Sequence, residues 1–174
     1  MADSQNPVYT DNVTILGDGT EEHPLTSSAT PGTLADNASV RGTTGTTGLT
    51  NGTEAVVGTF EFPDRAAAPV GFTWAALLWG AFSLLFTTPA TATAAVVRLY
   101  RGTDATGTLI ATFTLTIDNT GPIITEMPVS VHFYDTPSPL TADSYAMTVE
   151  LTGSDGTATA ASFSGLVAQV PAGF

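Results

Sequence analysis

The sequence predicts an all-β protein: an antiparallel jelly-roll β-sandwich of about eight strands with an extended N-terminal arm. Segments that alternate apolar and polar residues recur from residue 55 onward, and clusters of Gly, Pro, Asn and Asp separate them. Few segments show helical periodicity. An immunoglobulin-like sandwich is the second choice, but the chain has no cysteine and so lacks the Cys-Trp-Cys pattern of antibody-type domains.

Residues 1–54 are predicted to form the arm and a linker, and residues 55–174 the sandwich. The arm has few large apolar side chains. Four of them, Val13, Ile15, Leu16 and Leu25, are predicted to dock it on a partner, because a segment poor in apolar residues becomes ordered only where it binds. The Thr- and Gly-rich stretch 43–53 cannot build a core and is predicted to be the linker.

The strands of the sandwich follow from period-two alternation. The clearest case places Leu109, Ala111, Phe113, Leu115 and Ile117 on one side of a strand, opposite threonines. Turn residues at 63–64, 102–104, 119–122, 136–139 and 153–156 end successive runs. The predicted strands are 56–62, 72–86, 95–101, 109–117, 129–134, 145–152 and 162–170.

The run Phe72–Phe86 is apolar at almost every position. One parity holds Phe72, Trp74, Leu78, Phe82, Leu84 and Phe86, and the other holds mostly Leu77, Trp79, Ala81 and Leu85. A strand of an open antiparallel sheet usually has one wet face. A strand that is apolar on both faces therefore predicts two covers, the core of the fold and a neighbouring subunit. The predicted core and oligomer-interface residues are Trp74, Leu77, Trp79, Phe82 and Leu85.

Three alternatives for this run stay open. Both tryptophans could be core residues only. The run could be two strands, or one bent strand with a bulge at Gly80. A membrane helix is the third alternative, but the 17 residues of 70–86 are at the lower limit for a span and no Lys or Arg closely follows them.

The charge balance argues against several partners. The chain has 16 acidic residues and four arginines, lacks lysine, and carries a net charge of −12. This charge repels phosphate, so neither nucleic acid nor an anionic membrane is an expected partner. It also keeps free subunits apart until a specific contact forms.

The N-terminus shows no basic region followed by an apolar one, so no signal peptide is expected.

No enzyme, cofactor or metal site is predicted. His23 and His132 are isolated, whereas a zinc site needs three or four ligands. There is no thiol, no lysine and no Gly-x-Ser-x-Gly sequence to supply a nucleophile. The acids that could serve a glycosidase, Asp18 with Glu21 and Glu22 or Asp135 with Asp143, are interpreted as turn residues. Calcium binding in the loops of Asp18 and Asp155 stays open, although neither loop has EF-hand spacing.

Two parts of the chain resemble structural proteins of tailed bacteriophages. Residues 11–20, continuing through Pro24 and Leu25, resemble a short N-terminal element of such proteins, and the runs 79–83, 95–101 and 108–117 resemble the heads of phage decoration, spike and fibre proteins. Such heads are jelly rolls, often similar to the tumour-necrosis-factor fold and often trimeric. The resemblance implies an arm that anchors on a capsid or tail protein and a head that faces solvent or pairs with copies of itself.

The expected function is therefore that of a virion structural protein: a capsid decoration or minor capsid protein, or a short spike. It would be made in the host cytoplasm, reside in the virion and form a homo-oligomer, with a trimer as the number that the resemblance implies. The first alternative is a carbohydrate-binding or adhesion module of a surface fibre, with Tyr134 beside Asp135 as its best site. The second is a polysaccharide hydrolase that uses Asp135 and Asp143.

Overall fold

The computed structural model of the protein describes residues 45–62, 68, 70–118, 120–121, 123–135 and 144–171 in full, and the strands at 8–10, 13–16, 26–27 and 38–41 by their backbone. The chain divides into two compact units, Met1–Asp36 and Asn37–Phe174. The first unit contains one antiparallel sheet with the strand order β1-β2-β3. Its strands are β1 (Val8–Thr10), β2 (Val13–Leu16) and β3 (Thr26–Ser27).

The second unit is built almost entirely of strands. A single 3₁₀ turn, Pro89–Thr91, is the helical element among its described residues. No helix in the described part of the chain has the length and apolar character needed to cross a membrane. The strands are β4 (Ala38–Arg41), β5 (Gly45–Leu49), β6 (Ala55–Glu61), β7 (Phe72–Phe86), β8 (Ala94–Arg101), β9 (Thr108–Thr116), β10 (Glu126–Asp135), β11 (Ser144–Thr152) and β12 (Gly156–Pro171).

These strands form two antiparallel sheets. The first sheet has the order β10-β7-β12, and both β4 and β5 pair with the outer edge of β12. The second sheet has the order β6-β11-β8-β9. Pairing is nested, because β8 pairs with β9, β7 with β10, β6 with β11 and β5 with β12. A long antiparallel ribbon wound in this way is a jelly roll, so the predicted all-β antiparallel sandwich is confirmed.

The core lies between the two sheets and follows the predicted alternation. Trp74, Leu78 and Leu84 of β7 are buried, as are Val97 of β8 and Val149 of β11. Strand β7 is continuous over 15 residues. The alternatives of two strands, a bulge at Gly80 or a membrane helix are therefore wrong.

The bulge of this sheet lies in β12. The register between β12 and β7 shifts between Thr159 and Ser162, and Ala160 there has a positive φ of 51°. Gly80 instead pairs in register with Val131 and Phe163. It is a glycine because a Cβ there would overlap the Met147 sulfur of the facing sheet.

The predicted linker is wrong for residues 45–49, which form strand β5. Leu49 is buried in the core, and β5 pairs with β12 from Gly156 to Ala161. Backbone hydrogen bonds to an existing strand stabilise this segment, so its lack of apolar side chains does not prevent strand formation. The division between the two compact units accordingly follows Asp36.

One predicted core residue lies outside the core. Leu109 is 50% exposed, because the register between β8 and β9 shifts between Leu99 and Tyr100. The shift pairs Leu109 with Tyr100. An irregularity of one residue reverses the side of the sheet to which the following positions point.

Candidate assembly surface

The five predicted core and interface residues of β7 divide between its two faces. Trp74 and Phe82 are buried in the core. Leu77 and Leu85 are 42% and 39% exposed on the opposite side of the first sheet, and Trp79 lies partly buried between them. The second apolar face of β7 is therefore largely uncovered in the single chain. We call this side of β10, β7 and β12 the outer face.

The apolar side chains of the outer face lie next to one another across three strands. Leu77 pairs with Tyr134 of β10 on one side and with Leu166 of β12 on the other. Tyr134 is 52% exposed and Leu166 37%. Trp79 occupies the adjacent row, between His132 and Ser164. We call these four side chains the ridge: Leu77, Trp79, Tyr134 and Leu166.

A shallow depression, which we call the hollow, lies directly beyond the ridge along the same strands. It is lined by Ala81, Ser83, Pro128, Ser130 and Ala160. Short side chains and the bulge of β12 create it, since the bulge breaks the regular pairing of β12 with β7 at this point. The outer face thus has a raised half and a recessed half side by side.

The outer face carries almost no charge. Among its described side chains on β10, β7 and β12, only Glu126 is acidic, and it pairs with Leu85 near one end of the face. Arg41 of β4 occupies the register position beside Ser164 at the edge. Ala75 and Ser164 are already buried. Apart from His132, the remaining residues offer an apolar and hydroxyl-bearing surface in a chain of net charge −12.

The corresponding side of the second sheet is charged. Arg98 Nη1 donates to Glu150 at 2.8 Å and lies 3.2 Å from a Glu54 oxygen. Tyr100 Oη donates to Glu54 at 2.9 Å, and the Thr148 hydroxyl donates to the same carboxylate oxygen. The hydrogen bond to Glu150 raises the pKa of Arg98, and burial raises the pKa of Tyr100. These groups satisfy one another within a single chain.

The structure does not assemble the carbohydrate site predicted at Tyr134 and Asp135. Successive residues of a strand point to opposite faces, so Asp135 points away from the outer face and is only 3% exposed. Its two oxygens accept from Arg101 Nε at 2.8 Å and Arg101 Nη2 at 2.6 Å, and Tyr145 Oη donates to one of them at 3.0 Å. The hydrogen bond from Arg101 to Asp135 raises the pKa of Arg101. This ion pair joins the two sheets.

Sequence reasoning missed the pair of Arg101 and Asp135, although a signal was present. Asp135 continues the inward parity of Val131 and Phe133, and Arg101 continues that of Leu99. Two opposite charges at positions that continue the inward-facing apolar residues of their strands indicate a buried ion pair. Asp143, proposed with Asp135 for a hydrolase, lies outside the described residues.

The other predicted site residues either contact the backbone, lie exposed on a strand, belong to β2 or lie outside the described residues. The Asp155 carboxylate accepts from the backbone N–H of Asn51 at 2.7 Å, and His132 is exposed on the outer face. No cluster of three or more potential metal ligands occurs in the part of the chain that the structure describes. In the arm, Val13, Ile15 and Leu16 belong to β2. Five more of the predicted site residues lie outside the described part of the chain: Asp18, Glu21, Glu22, His23 and Leu25.

The fold and this surface define the class: a jelly-roll β-sandwich with one charged and one nearly uncharged outer side. No protein-family model matches the chain, and no curated protein matches it. The chain spans less than half of the length of each of the similar structures named below.

Solved structures similar to the chain include the following three. Dimeric latent PorU from Porphyromonas gingivalis is 11% identical with a TM-score of 0.45, and the match covers 83% of this chain and 14% of PorU. A structure of infectious bursal disease virus Gx strain is 16% identical with a TM-score of 0.43, covering 97% of this chain and 42% of that one. The MgGH51 α-L-arabinofuranosidase is 12% identical with a TM-score of 0.34, covering 93% and 23%. At these TM-scores the similarities carry no inference about function.

Proposed function

We propose that the chain is a virion structural protein that assembles with copies of itself through its outer face. The observation that carries the proposal is the apolar, nearly uncharged surface around Leu77 and Trp79 in a chain of net charge −12. Like-charged copies repel each other, so a stable contact between them requires a surface where few charges meet. The outer face has this property and the charged side of the second sheet does not.

The driving force is burial of apolar area. A fully buried leucine or aromatic side chain contributes about 1.5–3 kcal/mol at ~25 cal/mol per Å². Leu77, Tyr134 and Leu166 are each between about a third and a half exposed in the single chain, so each retains area that a partner could cover. Trp79, in the adjacent row, is of a residue type that is enriched at the energetic hot spots of interfaces.

The virion role rests on the resemblance of residues 11–25 and of the head to phage structural proteins. In this role the protein is a capsid decoration protein, a minor capsid protein or a short spike. Its arm docks on a capsid or tail protein through Val13, Ile15, Leu16 and Leu25, and its head faces solvent or neighbouring copies. The proposal assigns it no catalytic activity.

Size-exclusion chromatography with light scattering tests the assembly. We expect the purified chain to exceed the mass of one copy at micromolar concentration, and Leu77→Ser to shift it toward one copy. Leu109→Ser is the matched control, because Leu109 is 50% exposed on the outward side of the second sheet and its loss leaves the outer face intact. A wild-type chain that runs as a single copy would refute self-assembly, as would equal effects of the two serine variants.

A variant of the arm separates docking from self-association. Replacing Ile15 in β2 by Asp places a charge in the segment proposed to bind the capsid or tail protein. We expect the variant to keep the mass of the wild-type oligomer and to lose incorporation into particles. Normal incorporation of the variant would refute the role of the arm.

The alternative function is a carbohydrate-binding or adhesion module. Tyr134 favours it, because an exposed aromatic side chain on a face with few charges can stack on sugar rings. Asp135, the acidic residue predicted beside Tyr134 in this site, is buried and so cannot contact a sugar. A glycan array without hits would remove this alternative.

A further inference from the structure

We infer that two copies pair face to face about a twofold axis that crosses β7 between Trp79 and Ala81, so that the ridge of each copy fills the hollow of the other. The inference rests on the proposed self-assembly and specifies its partner and geometry. A twofold contact is self-complementary: if residue i of one copy faces residue j of the other, then j also faces i. A surface suited to such a contact must therefore carry matching raised and recessed halves.

The outward residues of β7 have this arrangement. Along the strand they read Leu77, Trp79, Ala81, Ser83, so two large side chains precede two small ones. An axis across the strands between Trp79 and Ala81 makes Trp79 face Ala81 and Leu77 face Ser83. Each pair then combines a large with a small side chain, which close packing of two facing sheets requires.

The neighbouring strand β10 follows the same rule. Register places His132 beside Trp79, Ser130 beside Ala81, Tyr134 beside Leu77 and Pro128 beside Ser83. The same axis therefore makes His132 face Ser130 and Tyr134 face Pro128. On β12, Leu166 belongs to the ridge, and Ala160 at the bulge belongs to the hollow.

The dimensions of the outer face suit a dimer of this kind. Strands about 4.8 Å apart that rise ~3.3 Å per residue give roughly 600 Å² for the face of β10, β7 and β12. Specific stable interfaces bury about 600–1,000 Å² on each partner, so the face lies at the lower end of that range.

The acidic side chain described on the outer face does not oppose this pairing. Glu126 lies five residues along the sheet from the axis, because it pairs with Leu85. The two symmetry-related carboxylates would be about 33 Å apart at ~3.3 Å per residue, which is well beyond the Debye length of about 10 Å.

The adjacency of ridge and hollow favours two copies over three. In a ring of three, each copy uses two different patches to contact two different neighbours. Here the ridge and the hollow are neighbouring rows of one sheet face, so a single partner lying on that face covers both. The trimer that the phage resemblance implies would need a second patch.

An exchange of side chains across the axis tests the inference. Trp79→Ala should raise the dissociation constant of the dimer at least tenfold, which is about 1.4 kcal/mol. Ala81→Trp should also raise it at least tenfold, because the introduced indole of one copy would meet the Trp79 indole of the other. In the double variant Trp79→Ala/Ala81→Trp, each large residue again faces a small one. We expect its dissociation constant to return to within about threefold of the wild-type value.

Analytical ultracentrifugation provides the masses and the constants, and the urea midpoint of each variant shows that it is folded. The exchange Leu77→Ser/Ser83→Leu repeats the test at the second pair, should a variant at the first pair not fold. A wild-type chain that has the mass of one copy refutes both self-assembly and the twofold pairing. A wild-type chain of three copies, or an exchange that does not restore association, refutes the twofold pairing alone. A wild-type chain of two copies with restored association in the exchanged variant supports it.

Discussion

Asp135→Asn should destabilise the fold more than the loss of Glu150, a partly exposed acidic side chain that is also paired with an arginine. Asp135 is 3% exposed, and both of its oxygens accept hydrogen bonds from Arg101, at 2.8 and 2.6 Å. Tyr145 donates a third at 3.0 Å. An asparagine of the same shape removes the negative charge and directs an amide N–H₂ group at a cation or a hydroxyl. The guanidinium then lies between the sheets without its counter-charge.

The magnitude follows from the burial of the two partners. Breaking a buried ion pair by removing one partner costs about 3–5 kcal/mol. The Arg101 side chain is 26% exposed and can recover part of its hydration, so we expect a loss of about 2–3 kcal/mol in the free energy of unfolding. For a chain of this size, that is a decrease of roughly 4–12 °C in the midpoint of thermal unfolding.

Urea unfolding followed by tryptophan fluorescence measures the loss, with Glu150→Gln as the matched control. Glu150 pairs with Arg98 at 2.8 Å, but the two side chains are 28% and 22% exposed, so its loss should cost about 1 kcal/mol or less. In the double variant Asp135→Asn/Arg101→Met, no unpaired charge remains and much of the stability should return. A loss for Asp135→Asn no greater than that for Glu150→Gln would contradict the assignment of a buried ion pair between the sheets.

Three further predictions concern the backbone and one turn. Gly165→Ala places a Cβ 2.5 Å from a phenylalanine ring and should cost about 1–3 kcal/mol in urea unfolding, whereas Gly48→Ala meets nothing within 4 Å and should change stability by less than about 0.5 kcal/mol. Ala160→Gly relieves a positive φ of 51° and should stabilise the fold by up to about 1 kcal/mol in the same assay. Thr106→Val should raise the pKa of Asp104 toward its ordinary value in an NMR titration, because the hydroxyl of Thr106 is the main cause of its lowered pKa. That lowered pKa favours folding above the ordinary pKa of Asp, and the contribution is lost as the pH falls. Equal losses for the two alanine variants, a destabilised Ala160→Gly or an unchanged Asp104 would each contradict the corresponding prediction.

The sequence was sufficient to predict the parts of the fold that side-chain burial determines. The strand Phe72–Phe86, its buried parity and the two-layered sandwich follow from period-two alternation, because a one-residue slip would expose every core residue at once. The division of Trp74 and Trp79 between the two faces of that strand follows from the same periodicity.

Features that depend on backbone pairing could not be predicted in this way. Strand β5 has one buried apolar residue, Leu49, and forms because the edge of β12 offers hydrogen bonds to any extended segment. The exposure of Leu109 depends on an irregularity that no residue type marks. The recessed half of the outer face depends in the same way on the bulge at Ala160, so the sequence indicated that the face was apolar but not how it was shaped.

The placement of the acidic side chains explains how a chain of net charge −12 can still present a surface suited to self-association. Asp104 and Asp118 lie in turns, where hydrogen bonds from Thr106 and Thr120 lower their pKa and keep them ionised in water. Glu54 and Glu150 accept hydrogen bonds on the outward side of the second sheet, and Asp135 pairs with Arg101 between the sheets. None of these carboxylates would have to leave water for two outer faces to meet, so the desolvation cost that opposes association of charged proteins falls almost entirely on hydroxyl and imidazole groups. Among the described residues, the charged groups therefore lie mainly in turns and on one sheet, which leaves the outer face as a surface where apolar burial can outweigh repulsion.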